Sequence, residues 1–282
     1  MQDRWYSVDV SAVAAVSEPV SVPSCWEELK EDYEGVAWYF REFDLADQHR
    51  GKYVEIDFDA VNYRAEVWVN GQAAGFHDGG YTPFRVPATD LVRYDGPNTL
   101  AVRVVGPIIA RDVRIDGFGH NETPHWRGAI AGGIWQSVRV NVLDPVHVAD
   151  VFAEPQFGES RVRIHATVRN DLDASVPVRC ECTISAAAEG ARVASVSSDV
   201  VLGLWDNNLC LSLDLKGFRP WDPEDPFLYR AEVVLSTADG PRDRRAVLFG
   251  MREFTIRGDR FELNGKPFYM KAGFWEGLYQ ST

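Results

Sequence analysis

The sequence predicts an all-β protein built from two consecutive β-sandwiches, and three observations carry that reading. Short runs rich in Val, Ile, Tyr, Phe and Trp alternate with polar residues, clusters of Gly, Pro, Asn and Asp separate them, and no segment holds a helical apolar stripe for more than a turn or two. At 282 residues with 45% apolar content, the chain is long enough for two domains with buried cores.

Residues 24–33 come nearest to a helix. Ser24 stands as a cap with Glu27 three residues on, which predicts one surface helical turn. From Val36 the pattern AWYFREFDL reads as a strand, and residues 53–58 as the next. In the stretch 65–87, Ala65, Val67 and Val69 alternate with Glu66 and Trp68 into Asn70-Gly71, a pair whose access to positive φ closes a two-residue hairpin turn; residues 72–76 return. The run from His77 to Phe84 holds two glycines and a proline, and so predicts a loop of one shape. It reads either as a sugar-binding surface or as a sandwich corner packed by Tyr81, Pro83 and Phe84. His77 and Asp78 sit where neighbouring side chains diverge, which argues against a catalytic dyad. Leu100, Val102 and Val104 face inward on a further strand, and residues 134–143 close the first sandwich. Between these, residues 108–131 lose periodicity and gather polar chemistry. An insertion of that length in a compact domain is more often functional than filler; the alternative is a surface loop.

Asp144-Pro145 marks the boundary. Beyond it, strands are expected at 146–154, 162–168, 176–185, 192–201, 209–215, 229–235 and 246–249, the spacing of an immunoglobulin-like sandwich without its paired cysteines. Asp222, Glu224 and Asp225 in a proline-rich link read as a rigid connector rather than a cation site, because they lack a fixed ligand spacing. In the last segment Asn264-Gly265 predicts a small hairpin, and residues 268–273 start a buried strand; the segment does not complete a domain of its own.

The net charge is 29 minus 42, or −13, with no basic run, which argues against nucleic acid or an anionic membrane as partner and favours a neutral or small-molecule ligand. Nine tryptophans suit either stacking on sugar rings or filling sandwich cores. Cys25, Cys180, Cys182 and Cys210 make no disulfide framework and no zinc spacing, so all four read as reduced and structural. The N-terminus lacks a basic start followed by an apolar run, and the expectation is a cytoplasmic protein with neither metal nor cofactor.

Seven segments, in order, resemble glycoside hydrolase family 2, the group of β-galactosidases, β-glucuronidases and β-mannosidases. They are Val22-Pro23 through Trp26; Gly35-Val36-Ala37-Trp38-Tyr39 with Arg41; Ala65 through Gly71; Gly79-Gly80-Tyr81-Thr82-Pro83-Phe84; Gly132-Gly133-Ile134-Trp135-Gln136-Ser137-Val138; Trp221 through Tyr229; and Phe249-Gly250-Met251-Arg252 with Leu263-Asn264-Gly265-Lys266-Pro267. The resemblance implies a jelly-roll sugar-binding domain over 1–144, an immunoglobulin-like sandwich over 145–251, and over 252–282 the first hairpin and strand of a truncated (β/α)8 barrel. It also implies retaining hydrolysis of terminal β-linked sugars by two barrel glutamates, their carboxyl groups about 5 to 5.5 Å apart. Neither lies in this chain, so the expected role is that of accessory β-domains, inactive alone, whose saccharide substrate is held through the missing barrel.

In relatives the loop before Gly-Gly-Ile-Trp lends side chains to the sugar pocket. Here that implies Glu122, His125, Trp126 and Arg127 as substrate-binding candidates, Glu122 standing where relatives place an aspartate, and Arg127 suited to a uronic acid carboxylate. As alternatives, Arg127 holds the loop to its own sandwich and Trp126 packs a domain interface. After Lys266-Pro267 the chain departs from the arginine-glycine and histidine of many relatives, reading Met270-Lys271-Ala272-Gly273, which leaves the sugar open. A stand-alone carbohydrate-binding module and an oligomerisation role, as a homo-oligomer, are the rival readings.

Overall fold

The computed structural model describes residues 16–30, 33–120, 122–123 and 132–273. The described chain is all β apart from single 3-10 turns, and it divides into two compact units between Val142 and Leu143.

In the first unit, one sheet contains β1 (Val36–Phe43), β3 (Arg64–Val69), β4 (Gln72–Asp78) and β6 (Asn98–Val105), in the order β1-β6-β3-β4. A second contains β2 (Tyr53–Phe58), β5 (Phe84–Pro87) and β9 (Val138–Leu143), in the order β5-β2-β9. Alternation explains the core: Val67, Val69, Val102 and Val104 from the first sheet and Val54, Ile56 and Phe58 from the second are buried in one cluster. Asn70 and Gly71 take φ of 52° and 78°, the left-handed pair a two-residue hairpin turn needs. Behind that turn, Asn98 is fully buried and satisfied. Its Oδ1 accepts from Asn70 Nδ2 and from the Arg93 amide, both at 2.8 Å, and its Nδ2 donates to the Arg93 carbonyl at 2.9 Å.

In the second unit, β10 (Val146–Gln156), β11 (Arg161–Asn170) and β14 (Trp205–Asp214) form one sheet. The other, in the order β13-β12-β15-β16, is made by β12 (Val176–Ala186), β13 (Arg192–Leu202), β15 (Tyr229–Thr237) and β16 (Gly240–Phe249). Every strand contributes buried side chains to the core, among them Val162, Ile164, Cys182, Ile184 and Leu235, while β13 and β16 contribute theirs at their ends, Leu202 and Phe249. Tyr229 Oη accepts the Arg219 amide at 2.8 Å, tying the link before β15 to the strand it feeds. The proline-rich connector folds on itself: Asp222 Oδ1 accepts the amides of Glu224 and Asp225, and Arg219 grips Asp225 through two bonds of 2.6 and 2.7 Å. A short meander follows, of β17 (Phe254–Arg257), β18 (Arg260–Leu263) and β19 (Lys266–Pro267), with Asn264-Gly265 in the left-handed conformation at its second turn.

Four expectations are corrected. Ser24 does not cap: its hydroxyl donates to the Ser21 carbonyl, and the 3-10 turn Trp26–Glu28 starts after Cys25 with Trp26 buried, so the turn is a core element. The strand expected from 134 begins at Val138, because the backbone of Ile134 bonds elsewhere, its amide to Tyr39 Oη at 3.4 Å and its carbonyl to the Ser24 amide at 3.2 Å, while its side chain joins the core. Residues 268–273 form no strand. Tyr269 is 84% exposed, and no described strand offers the segment a ladder partner. Cys210 is exposed, unlike the buried Cys25, Cys180 and Cys182: it lies on the outward-facing alternate of β14, between inward Leu209 and Leu211.

Candidate functional site

Segments far apart in sequence condense around a few aromatic side chains. In the first unit the Trp26 indole lies against glycine backbone. A Cβ at Gly132 would stand 2.5 Å from its ring and one at Gly133 2.6 Å from its Nε1, and Gly106 is equally closed. Trp26 Nε1 donates to Tyr39 Oη at 2.6 Å, and the Trp26 amide donates to the Gly132 carbonyl at 3.0 Å. Burial pushes the Tyr39 hydroxyl above its ordinary range, against the opposing effect of the Trp26 hydrogen bond. Next in that motif, Trp135 Nε1 donates to the Gly80 carbonyl at 2.7 Å, with Tyr81 edge-on at 5.3 Å. In the second unit, Trp221 sits against Gly250, beneath Arg252 at 4.5 Å from its ring, and its carbonyl accepts Asn264 Nδ2 at 3.0 Å. At Gly106, Gly132, Gly133 and Gly250 glycine is required by close approach to an indole.

The loop after β6 is anchored from several directions. Glu34 Oε2 accepts the amides of Ile109 (2.8 Å) and Ala110 (2.9 Å), and His120 Nδ1 meets the Ile109 carbonyl at 2.6 Å. Buried Thr123 accepts the Ile108 amide and donates to the Gly119 carbonyl. Between these anchors β7 (Arg114–Ile115) and β8 (Phe118–Gly119) make a two-residue hairpin over Asp116-Gly117, with φ of 51° and 87°. The described part of the loop that lacks periodicity is therefore shaped by side chain to backbone bonds, which leave no period-2 signal.

Glu122 stands at the base of this hairpin, 41% exposed, with Oε1 accepting Arg114 Nη2 at 3.1 Å. That hydrogen bond, helped by the guanidinium charge, holds its carboxyl below the ordinary range, so it is an anion able to accept hydroxyl hydrogens. His125, Trp126 and Arg127 lie outside the described residues. Arg114, the partner of Glu122, was not picked out by sequence reasoning; the eight-residue separation becomes a contact only through the hairpin. His77 and Asp78 diverge as expected: His77 stacks on Phe84 at 4.5 Å and meets Thr82 Oγ1, while Asp78 pairs with Arg64 across the hairpin. Phe84 also stacks on Phe58 at 4.7 Å, so it packs the corner, whereas Tyr81 is 55% exposed. A separate cavity of about 680 Å³, walled by Tyr39, Phe43, Phe58 and Val138 with Arg41 and Arg139 among its lining, does not include Glu122. Among the described residues no group of three His, Cys, Asp or Glu side chains is placed to hold a metal.

Comparison with known proteins matches residues 14–140 to the model of the glycosyl hydrolases family 2 sugar binding domain and residues 146–252 to that of glycosyl hydrolases family 2. A β-galactosidase of Thermoanaerobacter pseudethanolicus is 26% identical over 251 residues, 86% of this chain and 32% of its own. A β-glucuronidase of Formosa agariphila is 23% identical over 272 residues, 87% of this chain and 27% of its own. The crystal structure of a Bacteroides uniformis β-glucuronidase superposes with a TM-score of 0.76 at 26% identity, covering 90% of this chain and 31% of that one. The chain thus spans about a third or less of the length of these relatives.

Proposed function

The chain belongs to glycosyl hydrolases family 2, and from that we propose that it forms the accessory β-domains of a longer hydrolase that removes terminal β-linked galactose or glucuronic acid with retention of configuration. The observation that carries this reading is the tandem match of both family models, in order, to this chain, together with its similarity to proteins named β-galactosidase and β-glucuronidase over about a third or less of their length. The division is 1–144, 145–251, and a third part from 252 onward that begins a (β/α)8 barrel. Supporting the third part, the meander leaves Phe254 and Ile256 47% and 69% exposed, an apolar surface suited to packing under further chain.

Retaining hydrolysis needs two carboxyl groups about 5 to 5.5 Å apart, one donating a proton to the leaving oxygen and one attacking the anomeric carbon. Both belong to the barrel. Glu122 has a lesser role here: kept anionic by Arg114, it accepts a hydrogen bond from a hydroxyl of the terminal sugar, with His125, Trp126 and Arg127 as its neighbours in the same loop. None of the four cysteines is in a disulfide, which suits the reducing cytoplasm.

The test is turnover of 4-nitrophenyl β-galactoside and β-glucuronide by this chain alone and by the longer reading frame. The chain alone is expected to be inactive and the longer protein to release the β-anomer first, read by NMR. A kcat of about 1 s⁻¹ or more for the 282-residue chain would overturn the placement of the chemistry.

A further inference from the structure

We propose that the outer edge of β13 is a self-association site, where a second copy of this chain adds its own β13 antiparallel about a two-fold axis at Ser197. β13 ends its sheet, and among the described residues none bonds to its outer side. The strand is 11 residues long, and alternate residues along that side hold out an amide and a carbonyl for a further strand. Proteins blunt such edges with prolines, lysines, bulges or a cover. From Val193 to Leu202 the strand reads VASVSSDVVL, with Asp199 its one charge, and its ladder with β12 runs unbroken from the Val176–Leu202 pair to the Ile184–Ala194 pair. Nor is it covered, since Val193 is 46% and Val201 71% exposed. The opposite margin of the sheet is closed: Asp243 of β16 accepts the Val148 amide at 2.8 Å, and Arg245 donates to the Ala149 carbonyl at 2.5 Å, tying β16 to β10. With one margin open, association about a two-fold stops at a pair, in which two four-stranded sheets run on as one.

The strand is complementary to itself. Val193, Ser195, Ser197, Asp199 and Val201 face outward, while Ala194, Val196 and Val200 pack against the core. Pairing about Ser197, the midpoint of Arg192–Leu202, keeps every side chain on its own face; a centre between two residues would set outward side chains against inward ones. Val193 then meets Val201 of the second copy, so that the two exposed valines cover one another, and Ala194 meets Val200 on the core side. Asp199 meets Ser195 of the second copy. Within each chain Arg192 already donates to Ser195, which brings a guanidinium beside each Asp199 across the axis. In its own chain Asp199 is paired with Arg179 at 3.5 Å, where both side chains are more than half exposed. Any strand can satisfy backbone groups, but valine on valine and arginine beside aspartate at both ends of one strand favour a second copy over another protein. None of this depends on the hydrolase reading.

The experiment is sedimentation velocity of the 282-residue chain over a concentration series. A reversible dimer is expected, with the β13 amides gaining hydrogen-exchange protection as concentration rises. Two double variants test the register, because positions 193 and 201 lie about 26 Å apart along one strand and meet only between copies. Val193→Glu with Val201→Glu sets like charges opposite one another at both ends and should weaken dimerisation about tenfold or more. Val193→Lys with Val201→Glu sets opposite charges there and should retain the dimer, with a new sensitivity to salt. Both positions are exposed, so the fold should survive, which circular dichroism checks. Ile256→Glu, on the exposed meander, should leave association unchanged. A chain that stays monomeric up to about 1 mM overturns the proposal, whether the edge is idle or kept for a strand of another protein. So do double variants that behave alike, and so does loss of the dimer in Ile256→Glu, which would place the contact at the meander.

Discussion

Replacing Gly133 by alanine should destabilise the first sandwich by about 2–6 kcal/mol, from two contributions that can be separated. The new Cβ would stand 2.6 Å from both Trp26 Nε1 and Tyr39 Oη, closer than real Cβ atoms come to any neighbour. Neither can retreat easily, since the two atoms are hydrogen-bonded to each other and Trp26 is 4% exposed with its amide tied to Gly132. Overpacking of this kind costs about 1–3 kcal/mol. Gly133 also has φ of +105°, where side-chained residues are strained by about 1–3 kcal/mol more. Trp26→Ala alone should cost about 3–5 kcal/mol. In the double variant the clash with the indole vanishes, Tyr39 Oη loses the hydrogen bond that holds it in place, and the backbone part stays, so the two changes should fall short of additivity by at most about 1–3 kcal/mol. The assay is urea-dependent alkylation of Cys25 read by mass spectrometry, with Cys180 and Cys182 as reference in the second unit, because tryptophan fluorescence mixes the two units. Additivity within about 0.5 kcal/mol would show that Gly133 does not exist for the indole's sake.

Native-state alkylation should label Cys210 alone: burial pushes the thiols of Cys25 and Cys182 up to about 12 and that of Cys180 to about 11, which a mass count at pH 8 would check. Since these folded values lie above the ordinary thiol value of 9.0, the unfolded chain sheds protons first; the contribution is fully present below pH 9 and is lost as pH rises toward 11 to 12, measurable as a falling urea midpoint. Asn98→Ala removes partners from Asn70 and from both backbone groups of Arg93, and should cost about 2–4 kcal/mol in chemical denaturation, whereas Asn207→Ala, at a half-buried position near the start of β14, should cost less. In a carboxyl-detected NMR titration Glu122 should ionise below the ordinary glutamate range and return to it in Arg114→Ala, its small contribution to stability being present at neutral pH and lost as the carboxyl protonates. A Glu122 that titrates alike in both proteins would remove the ion pair from the loop's account.

Where the chain alternates cleanly, the structure was legible in advance. Val162, Ile164, Ala166 and Val168 point inward as their spacing requires, and the turns at Asn70-Gly71 and Asn264-Gly265 take the left-handed conformation those pairs favour. In β1 that logic is ambiguous, since Trp38, Tyr39 and Phe40 are consecutive aromatics and only the pairing with β6 shows that Tyr39 turns toward Trp26 while its neighbours turn out. The candidate loop was legible as an interruption and not as a shape. Its contacts run from Glu34 to Ile109, from Thr123 to Ile108 and from Arg114 to Glu122, and such pairings carry no periodicity.

Sequence alone determined the all-β class, the order of the two sandwiches and the family, because alternation and turn chemistry are local and the seven motifs are strings. Only the tertiary structure decided what those motifs are for physically: Gly106, Gly132 and Gly133 surround one indole, Gly80 takes the hydrogen bond of Trp135, and Gly250 lies against Trp221. A glycine that exists for a ring more than a hundred residues away, as Gly133 does for Trp26, has its cause outside its own neighbourhood, and contact between packed surfaces is the one quantity a linear pattern does not contain.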